Sequence, residues 1–397
     1  MFKYTRPQYE VLCARLENEP RRFIQVLYGP RQVGKTTLIT QFAQNTKLLV
    51  HQVSADAVPA SDYSWISQQW EAARFKLKQS NVDELILILD EIQKVENWSE
   101  QVKKEWDNDS QNQLPLKVIL LGSSRLLLQQ GLTESLAGRF EAIYMGHWPY
   151  SEIQKAFGIT AEEYVWFGGY PGSIPLIGDE SRWKLYITQS LIEASISRDI
   201  FMMTQVNKPA LMRRLFELGC AYSGQILSYS KILGQLQDAG NTTTLAHYLD
   251  LLGSAGLLTG LEKYSPNILR QRASSPKFQV SNTALISAQQ GLTFEQVRAR
   301  PELWGRWVES SIGAHLLHYS LIEGLELYYW RDRMDEVDFV LSNRSQVIGI
   351  EVKSKVAKKK RGMKAFQRVF DPQKVILISD TSLPWQEFLS INPKDLF

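Results

Sequence analysis

A glycine-rich loop near the amino terminus constrains the fold of this chain more than any other stretch of the sequence. Residues 29–36 are Gly-Pro-Arg-Gln-Val-Gly-Lys-Thr and fit the pattern G-x-x-x-x-G-K-[ST]. A β-rich apolar run, 23–28, precedes the loop, and a helix-compatible segment, 37–44, follows it. This order of strand, loop and helix is the context that a phosphate-binding P-loop requires, and a chance turn followed by a lysine would not supply it.

The residue types of the loop explain how it would hold a nucleotide. Gly29 and Gly34 allow the backbone to fold tightly with its N–H groups facing a phosphate, and the helix that follows adds its positive dipole end. Lys35 is expected to reach the β- and γ-phosphates, and the hydroxyl of Thr36 is expected to bind Mg²⁺. The predicted nucleotide contacts are Gly29, Pro30, Arg31, Gln32, Val33, Gly34, Lys35, Thr36 and Thr37.

A second motif supplies the acidic half of the same site. The apolar run 85–89 is typical of a strand buried on both faces of a parallel sheet, and it ends in Asp90 and Glu91. Because the carboxyl ends of parallel strands face the ligand crevice, Asp90 is expected to hold Mg²⁺ through water. Glu91 is expected to orient or deprotonate the attacking water, which favours a hydrolase over a kinase. A solvated acidic strand end is the alternative, and the upstream P-loop disfavours it.

The strand candidates predict an α/β fold with a parallel sheet. Helical patterns separate most of them, and one strand lies between the P-loop strand and the Asp-Glu strand, as in ATPases whose glutamate acts on water. The candidates lie at 24–28, 47–53, 85–89, 116–121 and 140–145. After the fourth strand, Ser123 is expected near the γ-phosphate as a sensor, with a plain Gly-Ser turn as the alternative.

Arg139 follows that sensor segment in the sequence Leu-Ala-Gly-Arg. It is a candidate arginine finger, which would stabilise transition-state charge on the phosphate of a neighbouring subunit. A surface salt bridge is the open alternative. The finger role would require a homo-oligomer.

Composition places the chain among globular proteins of a reducing compartment. The 397 residues, 44% of them hydrophobic and 22% charged, correspond to about two to four units. Cys13 and Cys220 have no metal-ligand spacing and suit buried thiols. The amino terminus lacks a signal-peptide core, and no apolar run approaches the roughly 18 residues of a membrane span, so a cytoplasmic location without membrane contact is predicted.

The middle of the chain has helical patterns. A helical subdomain over the nucleotide is the simplest interpretation of residues 150–205. Helix candidates at 209–222, 228–238 and 243–255, followed by a glycine-interrupted segment, 256–264, interpreted as a hairpin, resemble a winged helix. Its recognition helix carries no Lys or Arg, so protein packing is favoured over DNA reading at this element.

The carboxyl-terminal part carries a second chemical pattern. Strands at 335–341 and 347–353, joined by a two-residue loop, would place Asp338 opposite Glu351 with Cβ atoms about 5 Å apart. Two carboxylates this close repel unless a proton or a metal lies between them, and hard oxygen ligands suit Mg²⁺ or Mn²⁺. Lys353 would hold a water or stabilise charge at phosphorus, and Glu309, on a helix at 302–318, would complete the site.

This D…E-x-K pattern is a short motif, and an exposed charged hairpin with Lys–Glu pairs is the alternative. A dense basic run favours the nuclease interpretation, because basic side chains beside carboxylates would bind a phosphodiester backbone. The run consists of Lys353, Lys355, Lys358, Lys359, Lys360, Arg361 and Lys364.

Taken together, these motifs resemble the bacterial and archaeal AAA-type P-loop ATPases that carry a carboxyl-terminal restriction-endonuclease-like domain. The matching stretches are 29–36, 90–93, 122–124, 136–139, 168–171, 275–277, 336–338 and 351–353. The resemblance implies ATP as the nucleotide and an AAA-type fold. It implies a P-loop ATPase core over 1–150, a helical lid over 151–207, a winged-helix-like unit over 208–264 and a restriction-endonuclease-like domain over 265–397.

The sequence therefore favours a cytoplasmic Mg²⁺-dependent ATPase with a metal-dependent nuclease-like domain, for which DNA is a candidate substrate. A nucleotide-controlled interaction switch, whose last domain binds a partner or nucleic acid without cutting, is the rival. A P-loop kinase is disfavoured by Glu91 and because the sequence offers no identifiable phosphoacceptor pocket.

Overall fold

The computed structural model describes residues 4–122, 132, 135–201, 206–236, 241–267, 271, 274–353 and 361–397. The chain forms two compact units, residues 1–145 and 146–397. The predicted sensor Ser123 and the lysines of the basic run between 355 and 360 lie outside the described residues.

The first unit is built on a parallel five-stranded sheet. Its strands lie within two residues of the predicted bounds, so the sheet prediction is confirmed. The strands are β1 (Ile24–Tyr28), β2 (Leu49–Ser54), β3 (Leu85–Asp90), β4 (Leu116–Gly122) and β5 (Phe140–Tyr144). Their order in the sheet is β2-β3-β4-β1-β5, and every neighbouring pair is parallel.

The strand inserted between the P-loop strand and the Asp-Glu strand in space is β4. Along the chain β2 separates β1 from β3, but in the sheet β2 is an outer strand. The carboxyl ends of β1 and β3 therefore lie on either side of the carboxyl end of β4. Ligands of open α/β sheets bind outside these carboxyl ends of the strands.

Helices cover both faces of this sheet, which explains the unbroken apolar run of β3. Leu85, Leu87 and Leu89 pack into one buried cluster, and Ile86 and Ile88 pack into another. The covering helices are α1 (Gln8–Glu17), α2 (Lys35–Asn45), α3 (Ser64–Gln79) and α4 (Trp98–Gln111), with a 3₁₀ turn at Ile92–Lys94.

The second unit begins with helices, as the sequence predicts for 150–205 and for the three segments after it. They are α5 (Tyr150–Phe157), α6 (Ala161–Phe167), a 3₁₀ helix (Pro171–Leu176), α7 (Glu180–Tyr186), π-helical turns (Ile187–Ile192 and Ser195–Ile200), α8 (Pro209–Ala221), α9 (Tyr229–Gln235) and α10 (Thr242–Ser254).

The hairpin interpretation of 256–264 is wrong. This segment contributes one strand, β6 (Leu258–Leu261), whose antiparallel partner is β7 (Lys277–Val280). The four residues of β7 are fully buried, so its partners lie on both faces of the strand.

A mixed four-stranded sheet and its helices complete the second unit. The sheet has the order β11-β10-β9-β8, with antiparallel β8–β9 and β9–β10 pairs and a parallel β10–β11 pair. Its strands are β8 (Glu326–Asp332), β9 (Asp335–Ser342), β10 (Val347–Val352) and β11 (Lys374–Ile378). The helices are α11 (Ala284–Ser287), α12 (Phe294–Arg298), α13 (Pro301–Glu323), α14 (Arg361–Phe370), α15 (Trp385–Phe388) and a 3₁₀ turn (Pro393–Leu396).

The predicted register of the β9–β10 hairpin is confirmed. The observed pairs run from Val347 with Ser342 to Ile350 with Phe339. The same register places Asp338 opposite Glu351. Across the described ranges, no helix combines the length and apolar character needed to cross a membrane.

Candidate active site

The P-loop begins where β1 ends, and its backbone depends on two glycines. A Cβ atom at Gly29 would lie 1.9 Å from the carbonyl oxygen of Met145, so a larger residue does not fit without a backbone shift. Gly34 has a φ of 92°, in the left-handed region, and forms the N-cap of α2. Strand, turn and helix are therefore arranged so that the amino terminus of α2 meets the loop, which is an anion-binding arrangement.

Lys35 is the first residue of α2, and its side chain lies over the loop. Its Nζ donates to the carbonyl oxygens of Gly29 at 2.8 Å and Pro30 at 2.7 Å. The residue is only 8% exposed. An ammonium bonded to neutral carbonyls gains electrostatic energy by moving to a phosphate oxygen, because bonds between two charged groups are stronger.

Thr36 and Asp90 meet across the gap between α2 and β3. The Thr36 hydroxyl donates to Oδ2 of Asp90 at 3.2 Å. Burial, followed by the neighbouring Glu91 carboxylate, raises the pKa of Asp90 above its ordinary value. A hydroxyl and a buried carboxylate are hard oxygen donors, and a nearby divalent cation would offset the cost of ionising Asp90. These two residues therefore fit Mg²⁺.

Glu91 is held in a rare backbone conformation. Its φ of 52° and ψ of 36° lie in the left-handed region, which costs a non-glycine residue about 1–3 kcal/mol. Its N–H donates to Oδ1 of Asp90 at 2.9 Å, and its carboxylate accepts a hydrogen bond from the side-chain amide of Gln93. Such strain is often found at functional sites, and here it fixes the direction of Glu91 at the end of β3.

The remaining predicted loop contacts differ in how they could meet a nucleotide. Val33 is 1% exposed and packs into the core below the loop, so only its backbone is available to a phosphate. Gln32 has a φ of 57°, which turns the loop backbone sharply. Thr36 and Thr37 are exposed at the start of α2.

Arg139 lies at the amino-terminal end of β1, whereas the P-loop of the same chain follows the carboxyl-terminal end of that strand. The N–H of Ile24, at the amino end of β1, donates to the Arg139 carbonyl at 2.8 Å. The five residues of β1 separate this point from the loop by about 16 Å at the usual rise per residue. The guanidinium donates to both carboxylate oxygens of Asp107, at 2.7 and 3.0 Å. Arg139 therefore forms a salt bridge here, and it does not reach the phosphates of its own P-loop.

A second group of charged side chains lies in the second unit, on the β9–β10 hairpin. Asp338 and Glu351 are 9% and 8% exposed, so the alternative of an exposed charged hairpin is wrong. Oδ2 of Asp338 accepts a hydrogen bond from the Val352 N–H at 2.8 Å. This bond holds the Asp338 carboxylate against the backbone of β10.

Lys353 forms the Lys–Glu pair that the alternative included. Its Nζ lies 2.6 Å from Oε1 of Glu351. Burial, and then the carboxylate of Asp338, raises the pKa of Glu351 to about 7, against the opposing effect of Lys353. The two carboxylates therefore repel as expected.

Sequence reasoning missed Lys277, which joins this group from β7. Its Nζ lies 2.8 Å from Oε1 of Glu309, on α13, and 3.7 Å from Oδ1 of Asp338. A lysine within a buried strand beside Phe278 is a usable signal, because a buried ammonium needs carboxylate partners. The family resemblance includes the stretch 275–277 but implies no role for its lysine.

Glu309, Asp338 and Glu351 do not fit a divalent ion as their side chains stand. An ammonium already lies between the first two, and Lys353 binds the third. Within the described ranges, no group of three or more His, Cys, Asp or Glu side chains is arranged to hold a metal. The three predicted metal ligands, Glu309, Asp338 and Glu351, therefore pair with lysines in this structure.

A cavity of about 270 Å³ lies beside these charges. Two indole rings, of Trp304 and Trp385, have centroids 6.4 Å apart at its wall. The charged side chains that line it are Glu302, Arg306, Glu309, Lys353 and Asp380. The cavity thus combines aromatic surface with charged groups of both signs.

Comparison with known proteins supports the P-loop interpretation of the first unit. Residues 21–154 match the family model described as an AAA domain, in agreement with the P-loop and the parallel sheet of this unit. Residues 158–296 and 304–393 match models of domains of unknown function. The restriction-endonuclease likeness of the last domain therefore stays a prediction.

Two of the relatives that match most of the chain are described as uncharacterized proteins. An uncharacterized protein of Mycobacterium tuberculosis is 27% identical over 335 residues, covering 83% of this chain and 70% of the relative. An uncharacterized protein of Methanocaldococcus jannaschii is 22% identical over 383 residues, covering 89% and 80%. A solved structure, the Walker-type ATPase PABY2304 of Pyrococcus abyssi, is similar with a TM-score of 0.45 and 14% identity, covering 72% of this chain and 95% of that chain.

Proposed function

We propose that this chain is a Mg²⁺-dependent ATPase that hydrolyses ATP at the P-loop of its first unit. The observation that carries the proposal is the meeting of Thr36 with Asp90, at 3.2 Å, beside Lys35 and the strained Glu91. The AAA-domain match over 21–154 supports it.

The roles follow from the chemistry of each group. Loop N–H groups and Lys35 bind the β- and γ-phosphates, while Thr36 and Asp90 would hold the ion. A bound Mg²⁺ supplies charge neutralisation at the phosphate oxygens. The oxygen of the attacking water bonds to the γ-phosphorus while Glu91 accepts a proton from that water. The bond between the γ-phosphorus and the oxygen that bridges to the β-phosphate breaks, which yields ADP and phosphate.

Arg139 enters this proposal only through a second copy of the chain. Its place at the amino edge of the sheet supports contact with a neighbouring subunit rather than its own nucleotide. To act there, the guanidinium would exchange the Asp107 carboxylate for a phosphate group, two oxygens of which also accept a bidentate pair of bonds from a guanidinium. We therefore propose an ATP-dependent homo-oligomer.

A comparison of binding and turnover tests the catalytic role. Glu91→Gln is expected to bind ATP as the wild type does but to release phosphate about 10²–10⁴-fold more slowly, because the amide accepts no proton. Glu10→Gln, an exposed glutamate of α1, is the matched control. Wild-type turnover by Glu91→Gln would refute the assignment of the base.

For the second unit we propose the role of a binding module that does not cut, with nucleic acid as its ligand. The pairing of Lys353 with Glu351 favours this over a nuclease, since that ammonium is then engaged within the protein. The cavity supports a nucleic-acid ligand, because bases stack on indole rings and phosphates bind Lys and Arg. The predicted nuclease activity remains the other candidate.

Plasmid incubation separates the two candidates. The full chain with ATP and Mn²⁺ is expected to leave supercoiled plasmid without nicks. It should retard a single-stranded oligonucleotide, whose bases are free to stack, and Trp304→Leu should weaken that retardation. Nicking that disappears in Asp338→Ala would establish the nuclease instead.

The two free thiols, Cys13 and Cys220, support the cytoplasmic location that we propose for these activities.

A further inference from the structure

Lys277 is the most deeply buried charged side chain near the carboxylate cluster of the second unit. It is 0% exposed, and its Nζ lies 2.8 Å from Oε1 of Glu309, 3.1 Å from the carbonyl oxygen of Asp338 and 3.7 Å from its Oδ1. Its Nζ also lies 4.6 Å from the ring centroid of Phe339. Three elements, α13, β7 and β9, therefore meet at one ammonium group.

The burial of this charge has to be offset by its partners. Burial lowers the pKa of Lys277, but Glu309 and Asp338 outweigh it, so the net pKa is raised and the ammonium stays charged. Transfer of a charge out of water is tolerated only when it is paired and hydrogen-bonded. Glu309 and Asp338 thus serve as counter-ions of a lysine.

The surrounding packing keeps Lys277 in this position. Gln279 lies on the same face of β7, and its side-chain amide donates to the Ser310 carbonyl of α13 at 2.8 Å. A Cβ atom at Gly313 would lie 2.0 Å from Oε1 of Gln279, so α13 approaches β7 too closely for a side chain there. The helix and strand are therefore held together over about one helical turn that follows the lysine contact at Glu309.

Two further carboxylate oxygens of the cluster are also engaged within the protein. Oδ2 of Asp338 accepts from the N–H of Val352 at 2.8 Å, and Oε1 of Glu351 lies 2.6 Å from the ammonium of Lys353. Of the described oxygens of these two carboxylates, Oε2 of Glu351 is buried with no hydrogen-bond partner. One such oxygen does not make a site for a hard cation, which takes about six oxygen ligands.

We infer that Lys277 is the resident cation of this cluster, taking the place between Glu309 and Asp338 that a divalent ion would need, so that the cluster is closed to metal. A divalent ion entering beside Nζ would meet a like charge at a few ångströms in a buried site. The inference deepens the non-cutting role proposed for the second unit. Its test measures metal binding rather than cleavage, so the two can fail separately.

The experiment is a calorimetric titration of the full chain with Mn²⁺, without nucleotide. Asp90→Asn is present throughout, to remove the carboxylate of the first unit that also attracts the ion. With Lys277 intact we expect no Mn²⁺ bound to the cluster. Lys277→Met should expose uncompensated carboxylates and gain one Mn²⁺ per chain, and adding Asp338→Asn should abolish that gain.

Two controls keep the inference open to refutation. Lys277→Arg retains the charge and should bind no Mn²⁺. If Lys277→Met does not fold in the absence of metal, recovery of its folded circular dichroism signal on adding Mn²⁺ supports the inference, since binding would then be coupled to folding. A folded Lys277→Met chain that binds no Mn²⁺ would overturn it. One Mn²⁺ bound with Lys277 intact and lost in Asp338→Asn would also overturn it.

Discussion

Replacement of Lys35 by alanine is expected to weaken ATP binding about 30- to 150-fold. In the absence of nucleotide, Nζ is bonded to the carbonyl oxygens of Gly29 and Pro30 at 2.8 and 2.7 Å. Nucleotide binding exchanges these two bonds for contacts with the charged β- and γ-phosphates. The loss in the alanine variant is the difference between the two sets of interactions.

The magnitude follows from that exchange. An ammonium about 4 Å from a unit negative charge gains about 4 kcal/mol at the effective dielectric constant of about 20 that suits partly buried pairs. Giving up two carbonyl bonds costs about 1–2 kcal/mol in total at the low end of net hydrogen-bond energies. The remaining 2–3 kcal/mol or so corresponds to the stated loss, at about 1.4 kcal/mol for each factor of ten.

The assay is an equilibrium titration with a fluorescent ATP analogue in the presence of Mg²⁺. Lys47→Ala, an exposed lysine of the same unit, is the matched control and should bind as the wild type does. Lys35→Arg keeps the charge and should lose less affinity than Lys35→Ala. Equal affinities of wild type and Lys35→Ala would refute the proposed contact between Lys35 and the phosphates.

Three further outcomes are expected. Arg139→Ala should keep ATP affinity but lose about 10³-fold or more in turnover, and wild-type turnover per chain should rise with protein concentration in phosphate-release assays. Burial lowers the pKa of His315 to about 4, so the folded state binds fewer protons than the unfolded chain. The contribution of His315 to the free energy of unfolding should therefore decrease by up to about 3 kcal/mol as the pH falls from 6.5 to 4. His315→Gln should remove this pH dependence in urea unfolding. The pKa of Glu351 is raised to about 7, so here the folded state binds more protons than the unfolded chain. The contribution of Glu351 to the free energy of unfolding should therefore decrease as the pH rises from 4.5 to 7. In urea unfolding, Glu351→Gln should be more stable than the wild type at pH 8 but not at pH 4.5.

The sheet of the first unit was predictable because local signals agreed there. The run 85–89 is apolar at every position, which only a strand covered on both faces tolerates, and the two clusters on either side of β3 bear this out. The register of β9 and β10 was predictable for a similar reason, since a two-residue loop fixes every pair that follows.

Contacts between distant segments were not predictable in this way. Lys277 meets Glu309 and Asp338 across 32 and 61 residues of chain. A lysine in a buried strand signals that carboxylate partners are needed, but no local pattern indicates which carboxylates they are. The partner of β6 was misplaced because a glycine-interrupted segment resembles a hairpin, whereas the true partner, β7, begins after an intervening loop. The left-handed backbone of Glu91 also depends on its surroundings and not on its residue type.

A crystal structure of the full chain with a non-hydrolysable ATP analogue and Mn²⁺ tests the central claim most directly. We predict an anomalous Mn²⁺ peak beside the Thr36 hydroxyl, with Lys35 moved from the carbonyls of Gly29 and Pro30 onto the β- and γ-phosphates. The account is contradicted if the analogue binds away from residues 29–36, or if Lys35 keeps its carbonyl bonds while the triphosphate lies out of reach.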